Sequence, residues 1–505
     1  MRFSKIALAA MVIAAPLSAQ EDPKAAAFDA YVSQAVKDWK TTGLAIAVMK
    51  DGKIVFAKGY GVRRSGEPAP VDTGTVFAIA STTKAMTAAA LGMLVDEGKV
   101  AWDDPVTKFL PSFQLNDPYV SRELTVRDLL THRAGLGNAD YLWYVADLPA
   151  DSMLAKLRLV EPEYSVRSSF IYQNVMYIAA GEVVAAASGR PWAQFVKERI
   201  FEPLRMSNTY ALQRLVPVGA NAASPHYLYG GDTVAVVKPD RSQAIGPAGD
   251  VWSSVGDMSK WMLFLLDSAR VDGKRLLKPA TWAELFTPQT LVPADEFYPT
   301  QQLTRPNWRS YGLGWYQHEY QGKKLDFHTG SLAGMVAIAG IIHDARFGVY
   351  VLGNTDHSEV RHALMYKAAD TWAVNPSRDW SKELFEVYER RRLRGDSLRR
   401  AGEASRIRNT RPSLALSKYA GTYENEIAGR VTVLEEKGAL RFEAGSALKA
   451  SVEHWHYDRF RARWDDKWQG TDMIAFMIGN GVPSSLQFAG YTFRRLPDSQ
   501  GTGPR

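Results

Sequence analysis

The chain has 505 residues, 61 Lys and Arg against 54 Asp and Glu, a formal net charge of +7 and no cysteine. At about 100–200 residues per domain this length allows two or three domains, and a composition 46% hydrophobic and 23% charged excludes disordered and collagen-like classes. The absence of cysteine excludes disulfide scaffolds, thiol nucleophiles, cysteine-bound zinc or iron–sulfur sites and a cysteine-linked lipid anchor.

Residues 1–20 carry Arg2 and Lys5 ahead of the apolar run Ile6 to Ala15, then Leu17-Ser18-Ala19 as a small-residue cleavage site. This pattern predicts a signal peptide and hence an exported protein, periplasmic or secreted. A buried N-terminal helix is the competing reading, and the acidic, proline-containing Glu21-Asp22-Pro23 argues against it. The run falls short of the about 20 apolar residues that a membrane span needs, and no later segment reaches that length. No integral membrane segment is expected after cleavage.

From 25 to 375 the chain alternates strand-like and helix-like stretches. Gly43 to Met49 and Ile54 to Val62 form a hairpin pattern around Lys50-Asp51-Gly52-Lys53, and Ala337 to Ile342 and Val349 to Gly353 form a second. Helical patterns lie between them, among them Thr82 to Glu97 before Gly98 and Asn174 to Ser188 before Gly189. Hairpins at both ends with helices between predict an α+β fold. Residues 376–412 form a charged linker, expected as a solvated helix and closed by Pro412. From 413 to 497 six short alternating segments separated by turns predict an antiparallel barrel or sandwich: Arg430–Leu434, Ala439–Ala444, Tyr457–Arg463, Met473–Ile478, Ser485–Phe488 and Tyr491–Leu496.

Three motifs carry chemistry. Ala80-Ser81-Thr82-Thr83-Lys84 places Ser81 and Lys84 on one face at a helix start. A serine hydroxyl needs a base, and a lysine serves once burial lowers its pKa towards neutrality. Tyr172-Gln173-Asn174 offers a phenol that can share a proton beside a lysine, and an amide for both lysine and substrate. A buried tyrosine followed by an N-capping asparagine is the plainer reading. In His328-Thr329-Gly330-Ser331, after the strand-like Leu325-Asp326-Phe327, a glycine lets substrate lie against the strand edge. The Ser331 N–H could join that of Ser81 as an oxyanion hole, with His328 polarising the proton relay; a turn or strand cap is again the plainer reading. The tail repeats two of these patterns, in Ser446-Ala447-Leu448-Lys449 and Tyr423-Glu424-Asn425, so single motifs decide nothing.

Taken in order, at spacings of about ninety and about 155 residues, the three motifs resemble the serine β-lactamase and DD-peptidase superfamily. The branch is that of class C β-lactamases, DD-carboxypeptidases, D-aminopeptidases and related esterases. Leu129 to Leu136 (LLTHRAGL), Pro203 to Met206 (PLRM), Pro247-Ala248-Gly249, Tyr311 to Trp315 (YGLGW) and Val351 to Asn354 (VLGN) fit as well. The resemblance implies an antiparallel sheet flanked by helices, with a helical subdomain. It also implies an acyl-enzyme on Ser81 with Lys84 as base and Tyr172 as relay. Asn174, His328, Thr329, Gly330 and Ser331 would bind substrate. His328 departs from class C β-lactamases, which usually carry lysine there, and is more like DD-peptidases and aminopeptidases. Substrates expected are amides (D-amino-acid peptides or cell-wall peptides) or esters. A non-catalytic sensor of peptidoglycan or β-lactams with the same fold is the alternative. The tail is similar to barrel domains attached to some members, with Tyr419-Ala420-Gly421-Thr422-Tyr423 near its start.

No cofactor is expected, and no metal, since no His-Glu-x-x-His occurs and His454-Trp455-His456 reads as alternating strand residues. His132 is expected to pack beneath the site. Tyr141, Trp143, Tyr144, Trp308 and Trp315 line a groove or fill core. Residues 1–20 hold two basic and no acidic side chains, and 378–412 hold eleven basic and six acidic ones, which accounts for all of the +7. The remainder has no excess charge to attract nucleic acid, so no nucleic-acid partner is expected.

Overall fold

A computed structural model of the chain describes residues 22–497, apart from 147, 230–232, 240–242, 357, 377 and 446–447. The expected signal peptide, and Ser446 and Ala447 of the second Ser-x-x-Lys, lie outside the described residues.

One antiparallel sheet organises the described residues up to 375. Its strands are β1 (Gly43–Lys50), β2 (Lys53–Gly61), β3 (Thr290–Leu291), β4 (Arg309–Tyr311), β5 (Tyr316–Tyr320), β6 (Lys323–Leu332), β7 (Met335–Ile342) and β8 (Phe347–Gly353). Their spatial order is β2-β1-β8-β7-β6-β5-β4-β3, so the two hairpins at the ends of the sequence meet where β1 pairs with β8. Asp51 and Gly52 both have positive φ, 49° and 78°, the geometry that an Asp-Gly hairpin turn supplies.

Both faces of the sheet are covered, which is why its inner strands are continuous apolar runs. Along β1, Ala45, Ala47 and Met49 enter one core while Leu44, Ile46 and Val48 enter the other, as the strand's two-residue period requires. The first core packs against α2 (Lys84–Asp96), α4 (Asn174–Ser188) and α5 (Val255–Leu266), beside the short turn α3 (Tyr141–Tyr144). The second packs against α1 (Pro23–Asp38), α6 (Val360–Ala369) and the start of α7 (Trp380–Ala404). Every residue of α2 from Lys84 to Leu94 is buried. An alanine-rich helix that is apolar all round has no solvent face to offer. Gly189 closes α4 in the left-handed conformation, at φ 71°.

The charged helix α7 corrects one expectation. Trp380, Leu384 and Val387 are buried, so its first two turns belong to the second core; the rest is exposed and laced with pairs such as Arg392 to Glu389 and Asp396. The spacing i, i+4, i+7 of those three apolar residues is that of a packed helix face.

The tail is a closed eight-stranded barrel, β9 (Gly421–Asn425), β10 (Gly429–Glu436), β11 (Ala439–Ala444), β12 (Leu448–His456), β13 (Arg459–Trp464), β14 (Thr471–Gly479), β15 (Val482–Phe488) and β16 (Tyr491–Arg495). Two of these, β9 and β12, were not among the six expected, and Tyr457 is a left-handed turn residue at φ 48° rather than a strand start. His454-Trp455-His456 alternate along β12 as expected, with Trp455 buried between two half-buried histidines, and the β12–β13 register shifts between the two histidines. Inward residues such as Val431, Val433, Leu440 and Phe442 form a third core. The barrel rests on α3: the Tyr141 and Tyr491 ring centroids are 5.0 Å apart. A Cβ on Gly445, which is left-handed at φ 61°, would stand 2.1 Å from the Val145 carbonyl oxygen. Among the described residues no helix is long and apolar enough to cross a membrane.

Candidate active site

Ser81 lies in a single 3₁₀ turn, Ala80–Thr83, that runs directly into α2 at Lys84. In a 3₁₀ turn residues i and i+3 eclipse, so Lys84 comes under Ser81 and its Nζ donates to Ser81 Oγ at 3.1 Å. The preceding Ala80 has φ 47°. A left-handed alanine is a strained residue of the kind that collects at functional sites.

Lys84 is fully buried. Its Nζ also donates to Asn174 Oδ1 and to the Ala248 carbonyl, each at 2.8 Å, and sits 4.8 Å above the Tyr172 ring and 5.3 Å above that of Tyr177. None of these partners is a carboxylate. Burial therefore pulls its pKa down to about 7, opposed only by the Asp140 charge. Asp250 helps to fix Pro247-Ala248-Gly249, which supplies the Ala248 carbonyl. It is buried, accepting from the Gln213 N–H at 3.0 Å and Trp252 Nε1 at 3.3 Å.

Asn174 is the first residue of α4 and its side chain does not cap the helix. It faces the lysine with its oxygen, and its Nδ2 donates to Asp140 Oδ1 at 3.1 Å. Tyr172 is hydrogen-bonded to Ser81, but burial among rings holds its pKa well above 10. The resting group is a phenol, so the expected proton sharing with Lys84 does not extend to a standing phenolate. His132 lies beneath it, with ring centroids 4.3 Å apart, and its Nδ1 accepts from the Gln173 N–H at 3.0 Å. Like Ala80 it is left-handed, at φ 55°.

The His-Thr-Gly segment lies inside β6 rather than at its end. Strand β5 pairs with β6 only through Lys323–Phe327, whereas β7 follows it from Asp326 to Leu332. From His328 onward β6 thus has a strand on one side only. Gly330 is pressed against Ser81: a Cβ there would stand 2.3 Å from the Ile79 carbonyl oxygen and 3.1 Å from the Ser81 nitrogen. Only a glycine permits that approach. Thr329 and Ser331 point the other way, Thr329 Oγ1 lying 2.5 Å from Tyr298 Oη and Ser331 Oγ accepting from Arg361 Nη1 at 2.9 Å.

His328 does not reach Tyr172, the relay expected from sequence. Its Nδ1 is 2.6 Å from the Thr329 carbonyl and its Nε2 is 3.0 Å from Tyr311 Oη, while its ring is 6.2 Å from that of Tyr172. Burial and the nearby Lys84 lower its pKa to about 3, so it stays neutral at physiological pH and acts on Tyr172 only through intervening groups. Of the sequence-derived residues, the structure brings Ser81, Lys84, Tyr172 and Asn174 into one hydrogen-bonded cluster and lays Gly330 against it. Thr329, Ser331 and His328 stand at its flank. Asp140 was missed; no short motif surrounds it. The groove aromatics divide likewise: Trp315 is core beside Phe286, Tyr141 and Tyr144 pack on the barrel, and Trp143 Nε1 donates to Asp140.

Known proteins resemble this chain in sequence and fold. The unguisins hydrolase ungD of Aspergillus violaceofuscus is 27% identical over 478 residues, 86% of this chain and 82% of its own length. The putative penicillin-binding protein PbpX of Bacillus subtilis is 28% identical over 51% of this chain and 61% of its own length. Among solved structures, the octameric penicillin-binding protein homologue from Pyrococcus abyssi superposes with a TM-score of 0.62 at 23% identity, covering 93% of this chain and 99% of that one. Residues 405–499 match a domain of unknown function, DUF3471. Residues 28–371 match the Beta-lactamase family model, and with that match the chain belongs to the beta-lactamase family, as a hydrolase of the serine type.

Proposed function

We propose that the protein hydrolyses an amide or ester through an acyl-enzyme on Ser81. The observation that carries this reading is a wholly buried lysine, 3.1 Å from a serine hydroxyl and with its pKa brought to about 7. In its neutral form Lys84 takes the Ser81 proton as Oγ bonds to the substrate carbonyl carbon. The Ser81 and Ser331 N–H groups receive the developing oxyanion, at the N-terminus of α2 where the helix dipole favours negative charge. The proton passes from Lys84 through the Tyr172 hydroxyl to the leaving nitrogen or oxygen, the bond to the leaving group breaks, and water then releases the acyl group by the reverse relay. Asn174 orients both Lys84 and the substrate amide.

The unpaired stretch of β6 beside Ser81 supports a substrate with an extended, amide-bearing chain, because a free strand edge recognises backbone groups. A neutral His328 leaves that wall without the cation that a lysine would bring, which favours peptides and esters over β-lactams. Residues 1–20 support export. Intact-mass spectrometry with a fluorophosphonate should add one adduct to the wild type and none to Ser81→Ala, and Ser81→Ala should lower turnover about 10⁴–10⁶-fold. Near-normal turnover in that variant overturns the reading. A penicillin adduct on Ser81 that never hydrolyses, with no turnover of any amide or ester, would support the sensor instead.

A further inference from the structure

Asp140 precedes α3 and lies one side chain away from the lysine. Its Oδ1 takes both available donors, Asn174 Nδ2 at 3.1 Å and Trp143 Nε1 at 2.8 Å. Both donors are neutral. Oδ2 has no donor among the described residues, and the residue is partly exposed. The turn that carries it is held from behind by the barrel, through Tyr491 on Tyr141 and Gly445 on the Val145 carbonyl. Asp140 is thus a carboxylate held through one oxygen, beside the Asn174 amide that also meets Lys84, with its other oxygen free of any donor among the described residues.

The other charges around the site are already used. Arg361 is ion-paired with Glu359 at 3.2 Å and donates to the Gly330 carbonyl and Ser331 Oγ. His132 and His328 are buried and held neutral, both with lowered pKa values. Tyr172, Tyr177 and Tyr311 are phenols with raised pKa values. Apart from Lys84, no group that faces the nucleophile among the described residues offers an unpaired positive charge to a substrate anion, whereas Asp140 offers a negative one to a substrate cation.

The direction follows from the relay. Tyr172 must face the leaving group to protonate it, and the oxyanion must face the Ser81 and Ser331 N–H groups. The substrate amide on the acyl side is assigned above to Asn174, whose Nδ2 donates to Asp140, so the acyl portion at that amide comes beside Asp140. We propose that Asp140 is the specificity-determining residue of the acyl side, its free oxygen receiving an ammonium group of the substrate, so that the protein prefers unblocked aminoacyl amides and esters to their N-acylated counterparts. This rests on the acyl-enzyme reading above. A charge-assisted hydrogen bond of this kind is strong enough to discriminate by one to two orders of magnitude.

The test compares alanyl and N-acetyl-alanyl p-nitroanilides, in D and L forms, with full-length wild type, Asp140→Asn and Asp140→Glu, each checked for fluorophosphonate labelling of Ser81. In wild type at pH 7 the free-amine substrate of the preferred hand should exceed its acetylated partner by about tenfold or more in kcat/KM. That ratio should fall above pH about 8, where the α-amine loses its proton. Asp140→Asn should bring the ratio to about one, mainly through KM, and Asp140→Glu should restore part of it. In Asp140→Asn the acid limb of the rate profile should also move to lower pH whatever Asp140 does to the substrate, because the charge that raises the Lys84 pKa is gone; the free-amine to acetylated ratio is the readout that a purely structural role for Asp140 would leave unmoved. A wild-type ratio near one, or a ratio unchanged in Asp140→Asn, overturns the assignment while leaving the acyl-enzyme reading intact. Failure of wild-type Ser81 to label overturns that reading, and the assignment with it.

Discussion

Lys84 and Asp128 are both wholly buried charges in the helical region, and the protein surrounds them in opposite ways. Asp128 closes a capping box with Thr125, whose N–H and Oγ1 donate to its Oδ2 at 3.0 and 2.8 Å. It also pairs with Arg133 at 2.7 Å and Arg167 at 2.6 Å. Despite full burial its pKa lies below the usual carboxylate range, because the donors outweigh desolvation. Lys84 receives two neutral carbonyl oxygens and a hydroxyl, and desolvation wins. A buried charge given its full set of partners is fixed in one protonation state and holds structure. One denied a counter-ion sits near neutrality, where a proton can come and go.

Substituting each charge by a neutral residue should separate these roles. Lys84→Met removes the proposed base and should lower turnover about 10³–10⁶-fold on any amide or ester substrate. Its folding stability should stay within about 1 kcal/mol of wild type, since relief from burying an uncompensated ammonium opposes the loss of a donor to Asn174 and Ala248. Urea unfolding followed by circular dichroism measures the second quantity. A destabilisation of several kcal/mol would show that Lys84 is paired after all.

Asp128→Asn should do the reverse. Breaking a buried pair costs about 3–5 kcal/mol, and the lower end applies because the Arg167 side chain is 42% exposed and screened. The urea midpoint should drop accordingly, while Ser81 in the folded fraction still labels with fluorophosphonate. The Asp128 contribution depends on pH with a definite sign. A folded pKa below the unfolded one gives stability that is complete above about pH 5 and is lost as pH falls through the folded value.

How far these regions could be read from sequence differs as sharply as their chemistry. The sheet was legible because burial on both faces imposes unbroken apolar strands, and α4 was legible from its apolar run and the glycine that ends it. The site was legible only through motif order, as its twin in the barrel demonstrates. Tyr423-Glu424-Asn425 has the same first and third residues as Tyr172-Gln173-Asn174, yet Tyr423 Oη donates to the Tyr419 carbonyl at 2.8 Å. Asn425 Oδ1 accepts from the Ile427 and Ala428 N–H groups at 2.9 and 2.8 Å. In the barrel the two side chains serve local turns, and at the entry to α4 they meet Lys84, about ninety residues away in sequence. Nothing local distinguishes the two. Asp140 escaped for the same reason: its meaning comes from Asn174, which chain topology supplies and no neighbouring residue signals. The position of His328 was legible but its reach was not, because the Tyr311 hydroxyl that occupies its Nε2 comes from another strand.

The pH dependence of catalysis is the finest test of the contrast. A general base works only when unprotonated, so with Lys84 near 7 kcat/KM for an uncharged nitrophenyl ester should fall about tenfold per pH unit below that value and flatten above it. The ester is the right probe because it has no ammonium group of its own to titrate. His132 and His328 cannot supply this limb: both are held neutral with lowered pKa values, and His328 titrates only near about 3. Asp128 cannot either, since its ionisation lies below the carboxylate range and acts on folding. A limb near pH 10, the ordinary lysine range, would mean that Lys84 finds a counter-ion in solution, and the division between a paired structural charge and an unpaired reactive one would no longer hold.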